Sequence, residues 1–103
     1  MDLQNQIKKE INENKVMLYM KGTKEIPMCG FSATVVKILN MHEASFKAVN
    51  VLEDPNIRVE LSKHSNWPTI PQLFVNGELV GGCDIAMELH KTGQLQEVLK
   101  EVK

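Results

Sequence analysis

The chain has 103 residues, with 12 basic and 13 acidic side chains and a formal charge of −1. That length suits one domain spanning residues 1–103, and 43% hydrophobic with 24% charged residues is too apolar for disorder and too evenly charged for a nucleic-acid-binding surface. No apolar run approaches the roughly 18 residues a membrane helix requires, and residues 1–15 mix acids with lysines, unlike a signal or transit peptide. The expected location is cytoplasmic. Two cysteines are too few for a secreted disulfide framework.

In chain order, Leu3, Ile7 and Ile11 recur at helical spacing and predict an amphipathic helix over Asp2–Glu13, closed by Asn14 and Lys15. Val16-Met17-Leu18-Tyr19-Met20 is a continuous apolar run, as expected of a strand buried on both faces. A polar loop follows from Lys21 to Met28. From Cys29 the helical period returns, with Phe31, Val35, Ile38 and Leu39 on one expected inner face, to about Met41. Phe46–Asn50 alternates like a half-buried strand. Asp54-Pro55 reads as an N-cap and first helical residue, opening a helix to Ser65 with Ile57, Val59 and Leu61 inward. Gln72–Val75, Asn76-Gly77 and Glu78–Val80 predict a hairpin with a type I′ turn. Asp84 is the expected cap of a last helical section, interrupted at Thr92-Gly93 and resumed over Leu95–Val102.

A strand–helix–strand unit makes a right-handed parallel crossover, and a hairpin adds antiparallel strands. The expected fold class is therefore α/β and thioredoxin-like, a four-stranded mixed sheet with helices on both faces. Met17, Met20, Met28, Met41 and Met87 read as core filling. His42, His64 and His90 share no ligand-like spacing with either cysteine, which favours surface or helix-end roles over a zinc site.

Three stretches carry chemistry. Cys29 sits where a helix begins, and the unpaired N–H groups and dipole there favour a thiolate. The bland alternative is a small buried hydrophobe. Ser32 occupies the place of a second thiol in a Cys-x-x-Cys site, so Cys29 has no resolving partner three residues on. In Trp67-Pro68-Thr69-Ile70-Pro71, a cis Pro71 would turn the backbone of Thr69 and Ile70 toward Cys29 and leave it open to an extended peptide. Trans prolines in a rigid turn are the alternative. Gly81-Gly82-Cys83-Asp84 lets a ligand approach a helix start, or simply caps it.

Together, Lys21-Gly22, Pro27-Met28-Cys29-Gly30-Phe31-Ser32, Ile57-Arg58, Trp67-Pro68-Thr69-Ile70-Pro71-Gln72 and Gly81-Gly82-Cys83-Asp84 resemble the monothiol glutaredoxins of the CGFS class, over nearly the whole chain. The resemblance implies a glutathione site. Lys21 and Arg58 match positions that hold the glycine carboxylate. Ile70, between Thr69 and Pro71, matches the backbone site for the cysteinyl unit. Gly82, Cys83 and Asp84 match the γ-glutamyl site, and Trp67 lines the groove in the family. Ile70 stands where the family often has an aromatic residue, a departure of little weight for a backbone contact.

The resemblance further implies a [2Fe–2S] cluster shared by a homodimer, with Cys29 from each protomer and two glutathione thiols completing four thiolates, for delivery to apo iron–sulfur proteins. Two other functions stay open: glutathione-dependent thiol transfer, which needs Cys29 alone, and a non-catalytic interaction module for a BolA-like protein. Against thiol transfer, Gly22–Met28 is longer than in dithiol glutaredoxins and by analogy places a second glutathione poorly. Cys83 is expected to line the glutathione site or, without glutathione, to pair with Cys29.

Overall fold

A computed structural model of the chain describes residues 2–100. Asp2, expected as the first residue of the first helix, is its N-cap instead. Asp2 accepts a hydrogen bond from the Asn5 N–H at 2.8 Å, and α1 (Leu3–Glu13) ends where Asn14 donates back to the Glu10 carbonyl. β1 (Val16–Met20) is buried along its whole length, as its unbroken apolar run requires. α2 (Gly30–Met41) follows the Lys21–Met28 loop, then β2 (Lys47–Asn50) and a 3₁₀ turn over Val51–Glu53. α3 (Pro55–Ser65) opens on Asp54, whose side chain accepts from the Asn56 N–H at 2.9 Å.

The hairpin pairs β3 (Gln72–Val75) with β4 (Glu78–Gly81) across Asn76 and Gly77, both at positive φ (53° and 81°), the type I′ requirement. The turn is tied to the start of β1 by the Asn76 N–H on the Lys15 carbonyl at 2.8 Å. α4 (Cys83–Thr92) stops at Gly93, which adopts the left-handed conformation, and α5 (Gln94–Lys100) resumes one residue earlier than expected. Val102, the expected last helical residue, lies outside the described residues, as do Glu101 and Lys103.

The sheet order is β2-β1-β3-β4, with β1 parallel to β2 and antiparallel to β3. Alternation along β1 divides the core in two. Val16, Leu18 and Met20 face Val35, Leu39, Ala86 and Leu95, while Met17 and Tyr19 face Ile7, Ile11 and Leu61. Helices α2, α4 and α5 thus cover one face and α1 and α3 the other. The expected mixed sheet between two helical layers is the observed architecture.

Several expected inner residues lie outside. Phe31 is 62% exposed and Val59 51% exposed. Val59 stands two positions from Ile57 and from Leu61, about 200° around the helix at 100° per residue, so it cannot share their face. Met17 and Met20 are core residues, but Met28, Met41 and Met87 are exposed. Asp84 does not cap α4. Gly82 holds that position without a side-chain bond, and Asp84 is an exposed acid in the first turn, where the helix dipole favours it.

Candidate functional site

The parallel β1–β2 pair and its α2 connection bring Cys29 to the end of the sheet beyond Met20. The loop that carries it there is pinned at both sides. The Met28 N–H donates to the Lys21 carbonyl at 2.8 Å, the Thr23 N–H to the Ile26 carbonyl at 3.1 Å, and the Gly22 N–H to Asn50 Oδ1 at 2.9 Å. The Lys24 ammonium donates to the Phe46 carbonyl and lies over the Phe46 ring, 4.1 Å from its centre. Gly22 adopts φ +94°, and a Cβ there would stand 2.5 Å from both the Ile26 oxygen and the Met28 nitrogen. Only glycine closes this loop.

Cys29 takes the N-cap position of α2 in an extended conformation, partly exposed. Its sulfur closes no capping hydrogen bond, yet it lies within the field of the first turn. The Ser32 backbone N–H is the largest influence holding the thiol below its ordinary pKa. The Phe31 N–H, the Lys21 charge and the Ser32 hydroxyl add to it, against a smaller rise from burial. Ser32 is fully buried, and its Oγ accepts from the Lys21 N–H at 3.1 Å. This serine therefore fastens the loop to the helix that the loop introduces. Sequence reasoning saw it only as a missing thiol; a hydroxyl in an otherwise apolar helix face was the available signal.

Beside this helix start lies a groove of about 230 Å³. Thr69, Ile70, Pro71, Gly82, Cys83 and Asp84 all line it, with Phe31, Trp67 and Ile85 completing the walls. Six expected site residues, from two segments eleven or more positions apart, are thus brought together. The Ile70–Pro71 peptide is cis, the rarer of the two alternatives. Carbonyls of the preceding stretch are held by side chains. Gln72 Nε2 donates to Trp67 (2.9 Å) and Thr69 (3.1 Å), and Arg58 Nη2 donates to Pro68 (3.4 Å). Among the described residues neither the N–H nor the C=O of Ile70 is hydrogen-bonded.

Gly82 makes the groove floor thin. A Cβ there would approach the Pro71 oxygen to 3.2 Å and Trp67 Nε1 to 3.5 Å. Arg58 is exposed and does not line the groove, being turned toward the Pro68 carbonyl. Lys21 also stands outside the lining, but its charge acts on Cys29.

Cys83 is the opposite kind of thiol. It is 8% exposed, donates to Met87 Sδ at 3.7 Å, and has its pKa raised by burial first, then by the Asp84 and Cys29 charges. A larger cavity of about 620 Å³ opens at the other end of β1, between Asn14–Val16 and Glu43–Lys47, and contains neither cysteine. Among the described residues no three His, Cys, Asp or Glu side chains converge as a metal group, and no helix is long and apolar enough to cross a membrane. His42 Nε2 and His90 Nδ1 meet at 2.9 Å, joining the ends of α2 and α4, a helix-end role whose pairing no spacing announced.

Known proteins place this arrangement. Residues 16–80 match the profile of the family described as Glutaredoxin. The chain is 58% identical over 95 residues to "Probable monothiol glutaredoxin 2" of Rickettsia typhi, covering 92% of this chain and 86% of that one. Reduced poplar apo GrxS14 superposes with a TM-score of 0.85 at 48% identity, over 96% of this chain and 91% of that one. A buckwheat glutaredoxin–glutathione complex has the same fold, with a TM-score of 0.85 at 24% identity, over 96% of this chain and 88% of that one. A single partly exposed thiol at a helix start, with serine where a second would stand, agrees with the name monothiol that the Rickettsia relative carries, and the chain belongs to the glutaredoxin family as one of its monothiol members.

Proposed function

We propose that this chain binds glutathione in the groove between Thr69–Pro71 and Gly82–Asp84, and that with glutathione it carries a [2Fe–2S] cluster as cargo for apo-proteins. The observation that carries this reading is the contrast between one partly exposed, acidified thiol and one buried, neutral one. Such a cluster takes four thiolates. The described residues contribute one suitable sulfur, Cys29, and no further metal-ligating group gathers around it. The donor set therefore fits a cluster only if other thiols join it, and a two-fold homodimer with two glutathiones makes four. Ligands that are not part of the chain also leave readily, which suits delivery.

The groove's chemistry supports the tripeptide. The open Ile70 backbone suits pairing with an extended peptide. The α4 start offers N–H groups to a carboxylate, and the exposed Asp84 carboxylate suits an ammonium. The buckwheat protein is a glutathione complex by its description, on the same fold. Lys21 supplies positive charge at the Cys29 side. Arg58 reaches a glycine carboxylate only by leaving the Pro68 carbonyl, an exchange open to an exposed side chain. The reading extends to a reducing compartment such as the cytoplasm, and to a BolA-like protein as an alternative second subunit.

A second reading rests on the acidified thiol. As a nucleophile, the Cys29 thiolate would attack the glutathione sulfur of a mixed disulfide, expelling the protein thiolate, and a second glutathione thiolate would then displace glutathione disulfide from Cys29. Both steps exchange one disulfide for another without external oxidant.

Anaerobic reconstitution with ferrous iron, sulfide and reduced glutathione separates the two. Visible cluster absorption that requires glutathione and a shift from monomer to dimer on gel filtration supports the carrier. Rapid turnover of a glutathionylated peptide, without any cluster absorption under those conditions, supports thiol transfer instead.

A further inference from the structure

Gln72 is fully buried, the first residue of β3, paired with Tyr19, and the one amide or charged side chain in the two central strands β1 and β3. Its amide spends both protons on the loop before it, on the carbonyls of Trp67 and Thr69. A buried polar side chain in an apolar layer carries a desolvation cost, which hydrogen bonds offset only when they are made. Here the Gln72 Oε1 has no partner among the described residues, so the residue is incompletely compensated even as it stands. The segment it holds, residues 66–71, belongs to no helix or strand and has no ladder to fix its peptide planes.

The consequence lies in one peptide unit. In a trans peptide the C=O of one residue and the N–H of the next point in opposite directions. The Thr69–Ile70 bond is trans, since Ile70–Pro71 is the cis bond among the described residues. With the Thr69 carbonyl held on Gln72, the Ile70 N–H points the opposite way, away from that amide, on a residue that lines the groove. We propose that Gln72 is a positioning residue, holding the Thr69–Ile70 peptide plane so that the Ile70 N–H is presented as a main-chain donor to an extended thiol peptide in the groove. The proposal rests on the glutathione reading given above.

The test uses the full-length protein and reduced glutathione as probe, titrated into ¹⁵N-labelled wild type, Gln72→Met and Gln72→Glu. Gln72→Met keeps the length and loses both donors. It is expected to bind about tenfold more weakly, the scale of one lost hydrogen bond. The Ile70 amide resonance should no longer shift on titration, while the amides of Cys83 and Asp84 still do and the pH midpoint of Cys29 alkylation is unmoved. Gln72→Glu is expected to bind weakly at pH 7.5, where a carboxylate has no proton to donate. Measured against wild type at the same pH, its affinity should recover in part as acid protonates the side chain and restores one donor. This variant also decides the matter if Gln72→Met does not fold.

Wild-type binding accompanied by equal affinity and an unchanged Ile70 response in both variants overturns the role of Gln72 and leaves the glutathione reading standing. Uniform loss of response at all three amides in a folded variant also overturns it, since that is general loosening. Failure of the wild type to bind glutathione overturns both.

Discussion

Two helices of this protein begin with a cysteine at the same end of the sheet, and the two thiols are driven in opposite directions. At α2, Cys29 is the cap itself, extended and partly exposed, with the Ser32 and Phe31 N–H groups and the Lys21 charge favouring its anion. At α4 the cap is Gly82, and Cys83, one residue further on, is already inside the first turn, buried and turned onto the Met87 sulfur. Burial and the neighbouring Asp84 charge keep it neutral. A helix start alone thus does not make a thiolate; a one-residue difference in register decides whether the sulfur meets the N–H groups from outside or the core from within.

The sharpest way to break the contrast is to remove each sulfur. Cys29→Ser should abolish cluster absorption after reconstitution and all alkylation at neutral pH, whereas in Cys83→Ser the Cys29 thiol should still be alkylated, read by mass spectrometry of intact protein. Next in size is the loop that presents Cys29. Gly22→Ala forces a side chain into φ +94° against backbone atoms 2.5 Å away. It should lower unfolding stability by about 2–3 kcal/mol in urea titration. The corresponding change at the other helix start, Gly82→Ala, meets nothing nearer than 3.2 Å at an ordinary φ, so it should cost well under half as much while narrowing the groove.

A smaller effect separates the two thiols by pH. Cys29 is acidified, so its alkylation rate should rise through a midpoint below the ordinary thiol value, and Cys83 should titrate above it. The linked stability follows the same signs. The Cys29 contribution is present above its unfolded pKa and fades as pH falls through the lower, folded one; the Cys83 contribution is present below its unfolded pKa and fades as pH rises through the higher, folded one. Lys21→Ala should move the Cys29 midpoint upward, but the thiol should stay acidified, since backbone N–H groups act on it more strongly than the lysine does. The same variant should weaken glutathione retention, checked by calorimetric titration; unchanged affinity would remove Lys21 from the site.

The elements were legible where local chemistry determines them. The Asp54-Pro55 cap, the Asn76-Gly77 turn and the five-residue run of β1 need no long-range information, and each formed as its residues require. Periodicity misled at the ends of helices, where a face has nothing to pack against. Phe31 keeps perfect spacing with Val35 and Ile38, yet it belongs to the first turn of α2, beyond the layer that buries the other two. Ser32, in phase with Val35, Val36 and Leu39, is the residue of that turn that faces inward, where its hydroxyl accepts from the Lys21 N–H. The gathering of the groove from residues 69–71 and 82–84 was expected only through family resemblance, since no spacing along the chain encodes which loop meets which helix start. The His42–His90 contact and the Gln72 bonds to residues 67 and 69 escaped for the same reason, being products of packing.

The account stands on one sulfur that needs a second molecule's thiol to complete its coordination. Native mass spectrometry of the anaerobically loaded protein addresses that stoichiometry directly. The expected mass is two chains, two glutathiones and one [2Fe–2S] unit, collapsing to single chains when glutathione is withheld or when Cys29 is replaced by serine. A cluster retained by a single chain, or by two chains without glutathione, would contradict it.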